Sequence, residues 1–165
     1  MCLAKIITHQ HHAPAREEVV DFVITRLCQS KNFSHRRTFI SFCCYIVTLI
    51  PFQMFKDVFS AHLFGYKDDK ISRIRCHLAE SMIELKPYYD LHEENAILVT
   101  ELLQTLLQDK CKIVVEATEH AEYIILQNRK KYNHKEMLQE DAKKQKLQNE
   151  LAAREKLEQE ERKRR

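Results

Sequence analysis

A single glycine, Gly65, in a chain of 165 residues is the feature that most limits what this sequence can form. The phosphate-binding loops of nucleotide enzymes need several glycines, because their backbones adopt positive φ angles beside the phosphate. Tight β-hairpins favour Asn-Gly, Asp-Gly or Gly-Gly pairs, and the sequence contains none of these. Both absences argue against a nucleotide-binding enzyme and an all-β fold, and they predict an all-α protein.

Apolar residues recur at helical spacing along residues 14–128, and short polar segments interrupt them at regular intervals. We predict six helices here, the second of them over about residues 35–50. Gly65 is the expected end of the third helix. The residues expected to open or cap these helices are, in chain order, Pro14, Ser34, Pro51, Asp69, Asp90 and Asp109.

The predicted caps Ser34, Asp69 and Asp109 are 35 and 40 residues apart. Arrays of paired helices have repeats of roughly 40 to 47 residues. One helical pair cannot bury its apolar face alone, so neighbouring pairs stack into a curved α-solenoid. The pattern therefore predicts about three HEAT-like helical pairs, at residues 14–50, 51–87 and 90–128.

Charge divides the chain into a body and a tail. Residues 129–165 hold 13 Lys+Arg and 8 Asp+Glu, whereas the preceding residues hold 14 and 16. Acidic residues four positions before basic ones favour a long charged helix in the tail, with a coiled coil as the alternative. Residues 1–13 are predicted to be the remnant of a preceding helix, which suggests a fragment or short form of a longer array.

The segment 54–79 resembles a HEAT repeat of the phosphatase-scaffold kind. In such repeats an aspartate in the turn between the two helices precedes an apolar-x-x-apolar-Arg step. The residues that fit this step are Asp69, Ile71, Ile74 and Arg75.

The third repeat departs from this pattern, because Val114 and Val115 stand where its arginine should fall after Asp109. The resemblance is to the HEAT-repeat regulatory and scaffold subunits of PP2A-like phosphatases. It implies a non-catalytic, cytoplasmic protein that binds a phosphatase catalytic subunit of the phosphatase 4 type.

By this resemblance, the turns between the helices of each pair line up along one ridge that docks the partner. The candidate partner-binding residues in these turns are Lys31, Asn32, Phe33, Lys67, Asp68, Lys70 and Lys110. A second group is expected to cap helices or to bond neighbouring turns, and it comprises Ser34, Asp69, Arg75, Asp90 and Asp109.

Catalytic and metal-binding chemistry is not expected. The six cysteines show no C-x-x-C spacing and lie mostly in apolar runs, which is typical of buried thiols in a reducing compartment. His9, His11 and His12 cluster without a neighbouring carboxylate, short of the four ligands of a closed zinc site. No H-E-x-x-H or G-x-S-x-G motif occurs. We therefore predict no active site, no cofactor and no small-molecule substrate.

The alternative is a membrane- or nucleic-acid-associated adaptor that acts through the apolar helix at 39–50 or through the basic tail. Residues 38–55 carry no charge, but Pro51 interrupts them and a membrane span needs about 20 residues. In the tail, acidic residues are mixed with the basic ones and Tyr132 is the only aromatic. Neither a membrane nor a nucleic acid is the expected partner.

Overall fold

The computed structural model describes Ile7, residues 13–128 and residues 132–164, and this part of the chain is all-helical, with seven helices and no strand. The predicted all-α class is confirmed. His9, His11, His12 and the rest of the predicted remnant, apart from Ile7 and Ala13, lie outside the described residues. In chain order the helices are α1 (Ala13–Val23, followed directly by a π-helical turn, Ile24–Cys28), α2 (Phe33–Ile46), α3 (the successive segments Phe52–Phe55, Lys56–Ser60, Ala61–Phe64 and Gly65–Asp68), α4 (Ser72–Tyr89), α5 (Glu93–Leu107), α6 (Lys112–Asn128) and α7 (His134–Arg164).

The start of α2 differs from the prediction, which made Ser34 its N-cap. The N-cap is Asn32, whose side-chain oxygen accepts a hydrogen bond from the backbone N–H of Ser34 at 2.9 Å. Ser34 already lies inside the helix, so its role as a cap is wrong. The helix ends at Ile46, and a turn leads from there to Pro51.

The start of α5 also differs, because Asp90 does not cap it. Helix α4 runs through Pro87 to Tyr89, and the N–H of Asp90 donates to the Lys86 carbonyl at 2.9 Å. The Asp90 carboxylate forms an ion pair with the Lys86 side chain. Asp90 is therefore held at the C-terminus of α4, and the extended residue His92 precedes α5 instead.

Gly65 is the C-cap of Ala61–Phe64, the last α-helical segment of α3, but it does not adopt the left-handed conformation common at that position. Its backbone is right-handed (φ −57°, ψ −23°), and the chain continues as a 3₁₀ turn to Asp68. A glycine allows the left-handed cap that commonly ends helices, but it does not require it. The break in helix regularity comes earlier, where residues 56–60 form a π-helical turn.

Aromatic side chains join the first four helices. Phe39 of α2 lies edge-on to Tyr66 of α3, with ring centroids 5.9 Å apart, and the Tyr66 hydroxyl donates to the Cys28 carbonyl at the end of α1. Phe52 of α3 packs edge-on against Tyr89 of α4 at 5.0 Å. Helix α4 also contacts α2, α5 and α6, so it lies at the centre of the core.

The apolar segment 39–50 belongs to this core. Phe39, Ile40, Cys43 and Ile46 are fully buried among the other helices. In the ranges that the structure describes, no helix combines the length and the apolar character needed to cross a membrane. These apolar side chains of the segment are therefore buried within the protein.

Helix α7 lies against the body along one of its faces. Met137 and Leu138 pack on the core, and the Asp141 carboxylate accepts a hydrogen bond from the backbone N–H of Phe52 at 2.7 Å. Farther along, Glu155 forms an ion pair of 3.3 Å with Arg16 of α1. The sequence predicted the helix but not this docking, which spans about 20 Å from Asp141 to Glu155.

Candidate functional site

The turns between α1 and α2, between α3 and α4, and between α5 and α6 share one local geometry. In each, a side-chain oxygen accepts from the backbone N–H two residues later. The three bonds join Ser30 to Asn32 at 3.2 Å, Asp69 to Ile71 at 2.9 Å and Asp109 to Cys111 at 2.8 Å. Ser30, Asp69 and Asp109 are thus equivalent positions, 39 and 40 residues apart. We call each pair of helices joined by such a turn a hairpin.

An ion pair links the first turn to the second. The Arg36 guanidinium donates to both carboxylate oxygens of Asp69, at 2.7 and 3.1 Å. Its third nitrogen donates to the carbonyls of Ser30 and Lys31, at 2.8 and 3.0 Å. Arg36 therefore stabilises its own turn and binds the next one.

A second ion pair repeats this arrangement one hairpin later. Arg75 donates to both oxygens of Asp109, at 2.5 and 2.9 Å, and to the carbonyl of Asp69 at 2.5 Å. Each side chain keeps a tenth or less of its surface exposed. Hydrogen bonding from Arg75 lowers the pKa of Asp109 below its ordinary value, and the same bond raises the pKa of Arg75. We call the two pairs, Arg36–Asp69 and Arg75–Asp109, the Arg–Asp ladder.

Both arginines stand six residues after the side chain that opens their turn, since Arg36 follows Ser30 as Arg75 follows Asp69. The third equivalent position is Val115, so α6 carries no arginine there. The repeat spacing was predicted from Ser34, which is not the equivalent position, and Arg36 was therefore not identified. The six-residue spacing from Ser30 is the signal that identifies it.

The ladder brings the predicted partner-binding residues to one end of the hairpins. Lys31, Phe33, Lys70 and Lys110 are exposed there. Lys67 and Asp68 are exposed as well, with an ion pair of 3.1 Å between them. Asn32 is exposed, but its side chain is engaged as the cap of α2. Apart from Asn32, these side chains do not support the backbone and are available to a partner.

The described residues show little sign of catalytic or metal chemistry. Among them, no three His, Cys, Asp or Glu side chains come together to hold a metal ion. The cysteines of residues 13–128 are free thiols, and burial raises the pKa of Cys44 to about 12. A thiol with so high a pKa is protonated at neutral pH and is a poor nucleophile.

A cavity of about 570 Å³ lies at the other end of the hairpins, between α4, α5, α6 and the start of α7. Its lining includes Lys86 and Asp90, which form an ion pair with each other. Apolar side chains such as Ile83, Ile125 and Met137 make up much of the rest. Glu93, Tyr132 and His134 also line it.

Comparison with protein-family models, with curated proteins and with solved structures finds no significant match to this chain. The geometry of the three turns and their exposed side chains is therefore the basis of the functional argument.

Proposed function

We propose that this chain is a non-catalytic scaffold or regulatory subunit built from HEAT-like helical pairs. Its partner in this proposal is the catalytic subunit of a PP2A-like serine/threonine phosphatase of the phosphatase 4 type, in the cytoplasm. The resemblance noted in the sequence extends to regulatory subunit 4 of protein phosphatase 4. In this role the chain contributes a binding surface, and the catalytic subunit carries out the chemistry.

The Arg–Asp ladder is the observation that carries the proposal. Each arginine binds the carbonyl of its own turn and the aspartate of the next, so three turns from separate hairpins are held in a row. A stacked array of helical pairs needs such nearest-neighbour contacts, because each pair packs only on its neighbours. The same Asp-to-Arg step carries the resemblance to HEAT repeats.

A fixed row of turns favours protein binding. A loop that becomes ordered only on binding loses conformational entropy, which lowers the affinity. A loop that the fold already holds in place does not have this cost. Here the ladder uses buried groups to hold the turns, and the exposed side chains of Lys67, Asp68 and Lys70 take no part in it. The ladder and the docking residues thus have separate roles in the same turns.

Co-purification with the phosphatase 4 catalytic subunit tests the proposal. The test variant replaces Lys67, Asp68 and Lys70 with alanine. Its matched control replaces Lys135, Glu140 and Lys143, which are exposed on α7 and carry the same charges. We expect recovery of the catalytic subunit to fall about tenfold for the turn variant and to stay unchanged for the control. Equal recovery of the catalytic subunit with the wild type, the turn variant and the control would show that these turn residues are not part of the binding surface.

A further inference from the structure

Lys31, Lys70 and Lys110 occupy the same position in the three turns. Each directly follows the residue that opens its turn, namely Ser30, Asp69 and Asp109 in order. All three lysines are exposed, and none forms an ion pair with another described residue. We call these three residues the lysine row.

The acidic side chains near the lysine row are already engaged. Asp69 and Asp109 are bound by the ladder arginines and by backbone N–H groups of their own turns. Asp68 is paired with Lys67. The turns therefore present an excess of positive charge, and the N-termini of α2, α4 and α6 add the positive ends of their helix dipoles.

The spacing of the row follows from the packing of the helices. Helix α4 contacts both α2 and α6, and contacting helices lie about 8 to 10 Å apart. The backbones of successive turns are therefore about 10 Å apart, which equals about three residues of a polyproline II helix. Because this helix has three residues per turn, acidic residues at every third position of a segment of about seven residues all lie on one face and match the row.

Apolar side chains lie beside the lysines. Phe33 is 45% exposed and Ile71 is 38% exposed, and they stand two and one residues after Lys31 and Lys70. A polyproline II segment that placed acidic groups on the lysines would turn its intervening residues to the two adjacent faces, beside these side chains. Apolar residues at those intervening positions would gain contact area there.

We infer that the lysine row binds an acidic protein segment in the polyproline II conformation, in which acidic residues recur every third position and apolar residues lie between them. This inference deepens the proposed function, because the segment would belong to a protein held at these same turns. A nucleic acid fits less well. Single strands are held by a succession of aromatic stacking platforms, and Phe33 is the one exposed aromatic side chain in the described turns.

Fluorescence anisotropy with a labelled peptide tests the inference. The probe is Glu-Ser-Leu-Glu-Ser-Leu-Glu, and the variant is K31E/K70E/K110E. The control, K135E/K143E/K146E, makes the same change in net charge at exposed positions of α7. We expect the peptide to bind the variant at least about tenfold more weakly than the wild type, and the control less than about twofold more weakly. Added salt should weaken binding to the wild type.

An equal loss in both variants would mean that net charge alone drives binding, and it would overturn the inference. So would a single-stranded oligothymidylate that binds as tightly as the peptide and loses binding in the same variant. If the circular dichroism spectrum shows that K31E/K70E/K110E is unfolded, the neutral variant K31Q/K70Q/K110Q replaces it. The control then carries the same neutral substitutions at the three α7 lysines.

The outcomes for the two proposals are distinguishable. If the peptide binds through the lysine row while the phosphatase catalytic subunit fails to co-purify, the proposed partner is wrong and the lysine row stands. If the catalytic subunit co-purifies equally with the wild type and with K31E/K70E/K110E, and the peptide does not bind, the lysine row is wrong and the scaffold function stands.

Discussion

The two ends of the hairpins are held by different means. At one end the Arg–Asp ladder joins three equivalent turns through two ion pairs of the same kind, one between each turn and the next. At the other end helix α7 lies across the starts of α1 and α3 and the end of α4. It makes a different contact at each, among them Asp141 with the Phe52 N–H, Lys144 over the Tyr88 ring and Glu155 with Arg16.

The two ends also differ in which charged side chains they leave exposed. At the α7 end, acidic side chains of the chain itself satisfy Arg16 and the first N–H of α3. At the ladder end, the ladder arginines bind Asp69 and Asp109, and Lys31, Lys70 and Lys110 remain exposed. Helix α7 covers part of the first end, whereas the second end exposes the lysine row.

Removing the second ion pair of the ladder is expected to have the largest effect on stability. Arg75→Ala leaves Asp109 and the Asp69 carbonyl without their shared donor in a nearly buried site. We expect the free energy of unfolding to fall by about 3 kcal/mol, measured by urea denaturation. The control Arg73→Ala alters an exposed neighbour on the same helix and should change it by less than about 0.5 kcal/mol. Similar losses from both variants would contradict a special role for the ladder.

Neutralising the acidic partner should remove part of the acid sensitivity of the ladder end. The pKa of Asp109 is lower in the folded protein than its unfolded value of about 3.9. The ionised carboxylate therefore stabilises the fold above that unfolded pKa, and this stabilisation is lost as the pH falls through the folded pKa. We expect Asp109→Asn to cost about 2 kcal/mol at neutral pH and progressively less in acid. Urea midpoints measured over a pH series check this. A cost that stays constant down to the most acidic point would show that the charge is not what Arg75 stabilises.

At the α7 end, a smaller effect is expected from removing the cap of α3. Asp141→Ala leaves the Phe52 N–H without its acceptor, and losing an N-cap typically costs about 1 kcal/mol. Hydrogen exchange of the Phe52 amide should accelerate in this variant. Glu140→Ala, at the exposed position beside it, is the matched control and should leave that exchange rate unchanged. If the exchange of the Phe52 amide does not accelerate in Asp141→Ala, α7 does not stabilise the start of α3.

The smallest effect is expected at the far contact of α7. Replacing both partners in R16M/E155L exchanges a partly buried ion pair for apolar contact, which is often neutral. One carboxylate oxygen of Glu155 is buried without a hydrogen-bond partner, which further limits the gain from the pair. We expect a change below about 0.5 kcal/mol in urea denaturation. The control R154M/E158L alters an exposed pair of the same helix. A loss above about 1.5 kcal/mol in the test variant alone would make the ion pair the main attachment of α7.

The helices of the body were predictable because their buried residues are apolar and follow the helical period. Asp69 and Asp109 were predicted as helix caps, but each accepts from the backbone N–H two residues later, and Ile71 holds the N-cap position of α4. The boundaries at Ser34 and Asp90 were not predictable in this way. Several polar residues compete at each of these sites, and the fold decides which one reaches the free N–H groups.

The docking of α7 could not be read from its sequence. The residues that contact the body include Asp141, Lys144 and Glu155 beside Met137 and Leu138, so polar side chains supply much of the contact. Their partners lie far away in the chain, 89 residues from Asp141 in the case of Phe52 and 139 residues from Glu155 in the case of Arg16. Hydrophobic periodicity carries no information about such contacts.

The ladder also has a mechanical consequence. Two-pronged bonds from Arg36 and Arg75 run along the row of turns, so pulling the turns apart must break several hydrogen bonds at once. Among the described residues, the contacts that α7 makes with the body differ from one to the next. The row of turns should therefore resist separation more strongly than the end that α7 covers.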